Sequence, residues 1–206
     1  MSTLLLVVDY GMGNLASIAN MIRKVGGRSI ITSDWREIKA AKKLILPGVG
    51  SFDRAMKNLD RLGLISLLKD KASEGVPILG ICLGMQLMTK GSEEGFCPGL
   101  EFVDAYAKKF RFESEVLKVP HMGWNEVELK KSSPLFWHME KDHIRFYFVH
   151  SFAVECEDKD DILTTTKYGY EFVSSFEKNN VIGCQFHPEK SHKFGMRLFR
   201  NFVENY

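Results

Sequence analysis

Cysteine is scarce. Only Cys82, Cys97, Cys156 and Cys184 occur in 206 residues, and no two of them form a C-x-x-C pair. That spacing argues against a zinc site or a dithiol redox motif, and the four read as reduced intracellular thiols. An excess of charge of one sign is also missing. Lys+Arg number 28 against 26 Asp+Glu, a formal charge of +2 with no basic stripe, so the backbone-neutralising footprint of a nucleic-acid binder is absent. There is no long hydrophobic run. The apolar opening from Leu4 to Val8 ends at Asp9, has no basic segment before it, and falls far short of the roughly 18 residues of a membrane span. The expected setting is the cytoplasm, with no membrane partner. Linkers, internal repeats and low-complexity tracts are lacking as well. At 45% hydrophobic and 26% charged residues, the chain reads as one domain over residues 1–206. A domain of this size buries about 70% of its unfolded surface, enough to hold a core without a metal or crosslink.

What is present is a series of buried-strand and helix patterns. Near-continuous apolar runs of strand length at Leu4 to Asp9, Arg28 to Thr32, Lys43 to Leu46 and Pro77 to Ile81 alternate with helical spacing over Leu15 to Val25, Asp53 to Leu59 and Ile65 to Ser73. Such runs mark parallel strands covered on both faces, joined by right-handed crossovers. Past Gly91 the texture changes to short, partly alternating strands, such as Asn125 to Leu129 and Arg145 to Val149. Another buried strand is expected at Val181 to Phe186. A closing helix from about Lys193 to Asn205 carries Phe194, Leu198, Phe199 and Phe202 on one face. The expected class is α/β: an open, mixed, mostly parallel sheet flanked by helices, with an added antiparallel region in the second half.

The sharpest local signal is Gly80-Ile81-Cys82-Leu83-Gly84, where a buried strand gives way to a helix expected over Met85 to Thr89. Glycines two before and two after the central residue leave room for a tight reversal that exposes a nucleophile at the carboxyl edge of the sheet. A helix N-terminus beneath the sulfur favours thiolate, and the Leu83 N–H points where an oxyanion would form. Taken alone, Cys82 would more often be a small buried hydrophobe. A base is supplied by His187, which ends a core strand, since open α/β sheets gather function at that edge. Two residues on, Glu189 can accept from the imidazole and fix its tautomer. Cys82, His187 and Glu189 thus form a candidate triad. Pro47-Gly48-Val49-Gly50, between the third strand and a helix, offers further amides to an oxyanion.

A competing pattern is Gly11-Met12-Gly13-Asn14-Leu15-Ala16, which fits the G-x-G-x-x-G/A dinucleotide fingerprint, with Asp34 about 20 residues later. Asp34 lies past the expected end of the second strand, and a nucleotide reading leaves the elbow and the His187-Pro188-Glu189 run unexplained. Pro120-His121-Met122-Gly123-Trp124-Asn125 is an apolar-aromatic turn that periodicity does not explain; it suits local packing or a partner surface.

Taken together, Tyr10 to Asn14, Pro47 to Gly50, Gly80 to Leu87, Pro120 to Asn125 and His187 to Ser191 resemble the class I (triad) glutamine amidotransferases, with the ordered motifs spanning positions 10 to 191. Pro120 to Asn125 and His187-Pro188-Glu189-Lys190-Ser191 narrow the resemblance to glutaminase subunits that pass ammonia to a (β/α)8-barrel cyclase subunit in histidine biosynthesis. The resemblance implies that Cys82 attacks the side-chain amide of L-glutamine, that His187 shuttles the proton to ammonia, and that Glu189 orients the imidazole. It implies an oxyanion hole of Val49, Gly50 and Leu83, and glutamine contacts at Gln86, Glu94, His150, Ser151 and Phe152. It places Asn14, Met122, Trp124 and Lys190 on the partner-facing surface, and it implies no cofactor and no metal. His192, and the stretch Lys167 to Phe176 with Ser174 and Ser175, depart from the family pattern. They leave open a paralogous subunit feeding another synthase, such as one amidating a surface sugar. Two further alternatives are another substrate for the same triad, as in cysteine peptidase-like relatives, and a noncatalytic nucleotide-binding module.

Overall fold

The computed structural model describes residues 4–113, 117–140 and 143–206. Its first half alternates β1 (Leu4–Val8), α1 (Leu15–Lys24), β2 (Arg28–Thr32), α2 (Trp35–Ala40), β3 (Leu44–Leu46), α3 (Phe52–Arg61), α4 (Leu64–Ser73), β4 (Ile78–Ile81) and α5 (Leu83–Leu87). The second half holds β5 (Ala105–Lys109), β6 (His121–Glu126), β7 (Glu128–Leu129), β8 (Arg145–His150), β9 (Phe152–Cys156), β10 (Ile162–Tyr168), β11 (Tyr170–Lys178), β12 (Val181–Cys184) and α6 (His192–Asn205).

The main sheet runs β2-β1-β3-β4-β12-β11-β10-β7, with β9 joined to β11 and β5 joined to β9. Contacts among β2, β1, β3, β4 and β12 are parallel, and the remaining pairings are antiparallel. The mixed sheet expected from the sequence is therefore present. Alternation along the strands divides the core in two, because successive side chains point to opposite faces. Leu6, Val8, Leu44 and Leu46 face α2 to α5, whereas Leu5, Val7 and Ile45 face α1 and α6. At the far end of the sheet from the loops after β3 and β4, the buried Lys43 ammonium donates to the Phe202 and Val203 carbonyls at 2.9 Å each, capping α6.

Differences from the sequence reading have local causes. β2 lies at the sheet edge, leaving Ile30 and Ile31 exposed rather than covered on both faces. The helix after the elbow begins at Leu83, two residues earlier than expected, because the Cys82 carbonyl already accepts from Gln86 N–H. The expected strand Asn125 to Leu129 is split. β6 pairs with β8 in a separate two-stranded sheet, while β7 pairs with β10 on the main one. β12 stops at Cys184, two residues short of the expected strand. The short α2 was not expected. Its signal was Asp34-Trp35-Arg36-Glu37, a cap followed by an acid three residues on, and Asp34 accepts from Arg36 N–H at 2.7 Å.

Candidate active site

Three parallel neighbours set the site. β3, β4 and β12 lie side by side with Leu46 opposite Gly80 and Cys184 opposite Ile81. The segments leaving their carboxyl ends, Pro47–Gly50, Cys82 and Gln185–Glu189, therefore emerge at one edge.

Cys82 has φ 54° and ψ −109°, a conformation that L residues rarely adopt and that a nucleophile elbow imposes. Neighbouring backbone enforces it. A Cβ on Gly80 would lie 2.8 Å from the Gly84 carbonyl, and one on Gly48 would lie 2.7 Å from Leu83 Cβ. The Cys82 N–H donates to the Cys184 carbonyl at 2.7 Å, tying the elbow to β12. Only 7% of Cys82 is exposed.

His187 is 1% exposed. Its Nδ1 lies 2.8 Å from Glu189 Oε1. A carboxylate accepts, so Nδ1–H donates and Nε2 is left for the sulfur. Burial alone would lower this imidazole, yet hydrogen bonding and charge at Cys82 and Glu189 outweigh it and raise the pKa to about 10. Nε2 makes no hydrogen bond of regular geometry.

Beside the elbow, the buried Tyr10 hydroxyl donates to the Pro47 carbonyl and steadies the start of Pro47–Gly50. Val49 is 50% exposed, and Gly50 stands at φ +125°, where a Cβ would lie 2.5 Å from the Met12 methyl. Leu83 is buried at the first turn of α5. Glu94 is exposed, and its Oε2 accepts from Phe52 N–H at 2.9 Å, just past Gly50.

Gln86 is buried, and its Nε2 donates to the Phe152 carbonyl at 3.3 Å and to Gln185 Oε1 at 3.0 Å. His150 is also buried. Its Nδ1–H donates to the same Phe152 carbonyl at 2.7 Å, and its Nε2 accepts from His121 at 3.0 Å. Both ring nitrogens are occupied, so any His150 contribution to ligand binding passes through the 150–152 backbone. Ser151 and Phe152 are half-buried. Gln185, fully buried, donates through Nε2 to Cys82 Sγ at 3.6 Å. Nothing in the sequence pattern singled it out; its position two residues before His187 was the available signal.

On the outside, Met122 is 62% and Trp124 45% exposed. Trp124 stacks on His192, and the Lys190 ammonium lies over the Tyr147 ring, so these side chains share one patch. Asn14 is exposed at the start of α1.

The glycine fingerprint has a packing explanation. A Cβ on Gly13 would meet Pro47 Cβ at 3.0 Å and Gly48 N at 3.2 Å, so this turn lies against the loop after β3. Asp34 is spent as the cap of α2. Among the described residues, no three His, Cys, Asp or Glu side chains converge as a metal site, and no helix is long and apolar enough to cross a membrane.

Residues 6–206 match the glutamine amidotransferase class-I family. The chain belongs to that family. It is 54% identical over 199 residues to the imidazole glycerol phosphate synthase subunit HisH 2 of Methanococcus maripaludis, covering 96% of this chain and 98% of that protein. It is 45% identical to the HisH 2 subunit of Pseudomonas aeruginosa, covering 98% and 99%. In the structure of PurLQS from Thermotoga maritima, a chain 20% identical superposes with a TM-score of 0.73 over 98% of both chains, a likeness of fold. As a family member this amidotransferase hydrolyses glutamine and donates ammonia.

Proposed function

We propose that the chain, as one glutaminase domain, is the ammonia-supplying subunit of an imidazole glycerol phosphate synthase, acting through Cys82, His187 and Glu189. The observation that carries the reading is the positive-φ Cys82 at a strand-to-helix elbow beside a buried His187–Glu189 couple. The 54% identity to a subunit so named supports the choice of synthase.

In the first step Cys82 Sγ, its proton held on His187 Nε2, bonds to the amide carbon of glutamine. The carbonyl π electrons move to oxygen, which the N–H groups of Val49, Gly50 and Leu83 receive. Collapse of that intermediate breaks the C–N bond; the imidazolium proton goes to the leaving nitrogen and ammonia departs, leaving a thioester. Water, deprotonated by His187, then attacks the thioester, and glutamate leaves as the proton returns to sulfur. Glu189 keeps Nε2 aimed at the sulfur and stabilises the imidazolium.

Glutamine is held by Gln86 and the 150–152 backbone, with the exposed Glu94 carboxylate suited to its α-ammonium. The patch of Met122, Trp124 and Lys190, extended by Asn14, takes a (β/α)8-barrel cyclase, and the complex works in the cytoplasm. The loop at Val49 is half-exposed, as suits a donor set completed when a partner docks.

The test is glutamate release from glutamine by the purified chain, alone and with a cyclase subunit plus its nucleotide ligand, with Cys82→Ala as control. Stimulation by that partner, abolished in Cys82→Ala, supports the reading; hydrolysis by Cys82→Ala sinks it. A second reading is favoured by the copy number 2 in both relatives' names. On it the chain is a paralogue with the same triad serving another synthase, and full hydrolysis without stimulation by the cyclase selects it.

A further inference from the structure

Gln185 places a side-chain amide on the proposed nucleophile. Its backbone N–H donates to the Ser174 carbonyl at 2.9 Å, so the residue is fixed where β12 ends. Its side chain touches two things: Oε1 accepts from Gln86 Nε2 at 3.0 Å, and Nε2 donates to Cys82 Sγ at 3.6 Å. Which end of the amide meets the sulfur is decided elsewhere. The Phe152 carbonyl accepts only, so Gln86 turns its Nε2 toward it, at 3.3 Å. The same Nε2 then requires an acceptor from Gln185, which leaves the Gln185 N–H for the sulfur.

The same carbonyl fixes a second run of bonds on its other side. The Phe152 carbonyl takes His150 Nδ1–H, so His150 Nε2 accepts from His121 Nδ1–H at 3.0 Å, and His121 Nε2 accepts from Asn125 Nδ2–H at 3.2 Å. The second Asn125 hydrogen goes to the Lys167 carbonyl at 3.0 Å. Two runs of donors thereby meet on the Phe152 carbonyl, Asn125 to His121 to His150 from one side and Gln86 from the other, and Gln86 also donates to Gln185, which donates to Cys82. A buried network with every member satisfied is rigid, and reversing one amide would set oxygen against oxygen.

We propose that Gln185 is a positioning residue for glutamine hydrolysis, its amide turned N–H first toward Cys82 Sγ by the bonds anchored on the Phe152 carbonyl. A thiolate only accepts hydrogen bonds, so this donor favours the deprotonated sulfur and restrains it in one orientation beside His187. The proton it loses is the one His187 receives. The inference rests on Cys82 being the nucleophile.

The test follows the thiol rather than turnover. The full chain is alkylated with iodoacetamide across a pH series, and labelling is quantified at each cysteine by peptide mass spectrometry, with Cys156 as the internal reference. Loss of a hydrogen bond to a charged group is worth about a tenfold change in equilibrium or somewhat more. Gln185→Leu, which keeps the bulk and removes the donor, is expected to slow Cys82 labelling about tenfold at neutral pH. Gln185→Glu, which puts an acceptor against the sulfur, slows it further. Cys156 labelling and thermal unfolding serve as folding controls. If Gln185→Leu does not fold, Gln185→Asn, whose shorter side chain withdraws the donor, carries the same expectation. An unchanged Cys82 profile in folded variants overturns the proposal. It does so without touching the assignment of the nucleophile, which fails only if Cys82→Ala still hydrolyses glutamine.

Discussion

Gly84 lies so close to β3 that a Cβ on it would stand 1.9 Å from the Leu46 carbonyl oxygen. The elbow helix and the strand before Pro47–Gly50 are therefore in backbone contact, and the proposed nucleophile and oxyanion donors are set against one another by an absent side chain. Gly84→Ala must push α5 away from β3. Overpacking of this kind costs about 1–3 kcal/mol, and a displacement of about 1 Å at a reacting group costs on the order of a hundredfold in rate. Urea denaturation and stimulated glutaminase assays should show both losses, the second much the larger.

The His187–Glu189 couple makes stability depend on pH in a defined direction. The folded-state pKa of His187 is raised from 6.5 to about 10, against the lowering effect of burial, by the bond to Glu189 and the charges of Cys82 and Glu189. A histidine raised on folding contributes stability that is fully present below pH 6.5 and lost as pH rises toward 10. Glu189→Gln weakens that contribution. The stability difference between the parent chain and Glu189→Gln should be largest near pH 6 and shrink by pH 10 in denaturant titrations. Activity at neutral pH should fall by orders of magnitude, since the imidazole loses the charge that steadies it.

His121 and His150 act in the opposite direction. Burial lowers His121 to about 4, and burial, only partly offset by the bond to Phe152, lowers His150 to about 3. The unfolded chain therefore binds more protons than the folded one below pH 6.5. Stability should decline between pH 6.5 and about 4, at a slope approaching 1.4 kcal/mol per pH unit for each histidine. Replacing both with Gln should flatten this part of the acid-unfolding curve; an equally steep curve would show that other groups govern it.

Lys43 tests the opposite end of the sheet. Its ammonium serves two carbonyls of the last turn of α6 while buried, and Lys43→Met strands both. An expected loss of about 1–3 kcal/mol per unpaired buried group should appear in the urea midpoint. Cys82 labelling by iodoacetamide should remain as in the parent chain.

Trp124, exposed and stacked on His192, tests the partner surface. If this face carries the cyclase, Trp124→Ala should weaken the complex by about 2 kcal/mol or more, as for a central aromatic anchor. Calorimetry would measure it, with the unfolding midpoint of the isolated chain nearly unchanged.

Much of this protein follows from sequence alone. Apolar runs without alternation marked β1, β3 and β4 because a parallel strand is covered on both faces and needs no polar side. Gly80 and Gly84 marked the elbow because only glycine fits where a Cβ would enter the neighbouring backbone. His187 and Glu189 could be paired because the single residue between them, Pro188, is too little for any fold to part them far. Other features needed the tertiary structure. β5, β9, β10 and β11 contain polar residues that become acceptable only when paired, as where Thr164 hydroxyl meets those of Ser174 and Ser175. The lookalike nucleotide turn became intelligible once Gly13 was seen against Pro47. The orientation of Gln185 depends on a carbonyl 33 residues earlier and on an amide 99 residues earlier, through bonds that no local pattern encodes. Sequence determined which residues are candidates for the chemistry, since reactivity and local backbone demands are properties of residue type. The fold alone decided which way their hydrogen bonds run, since that is fixed by groups brought together from distant parts of the chain.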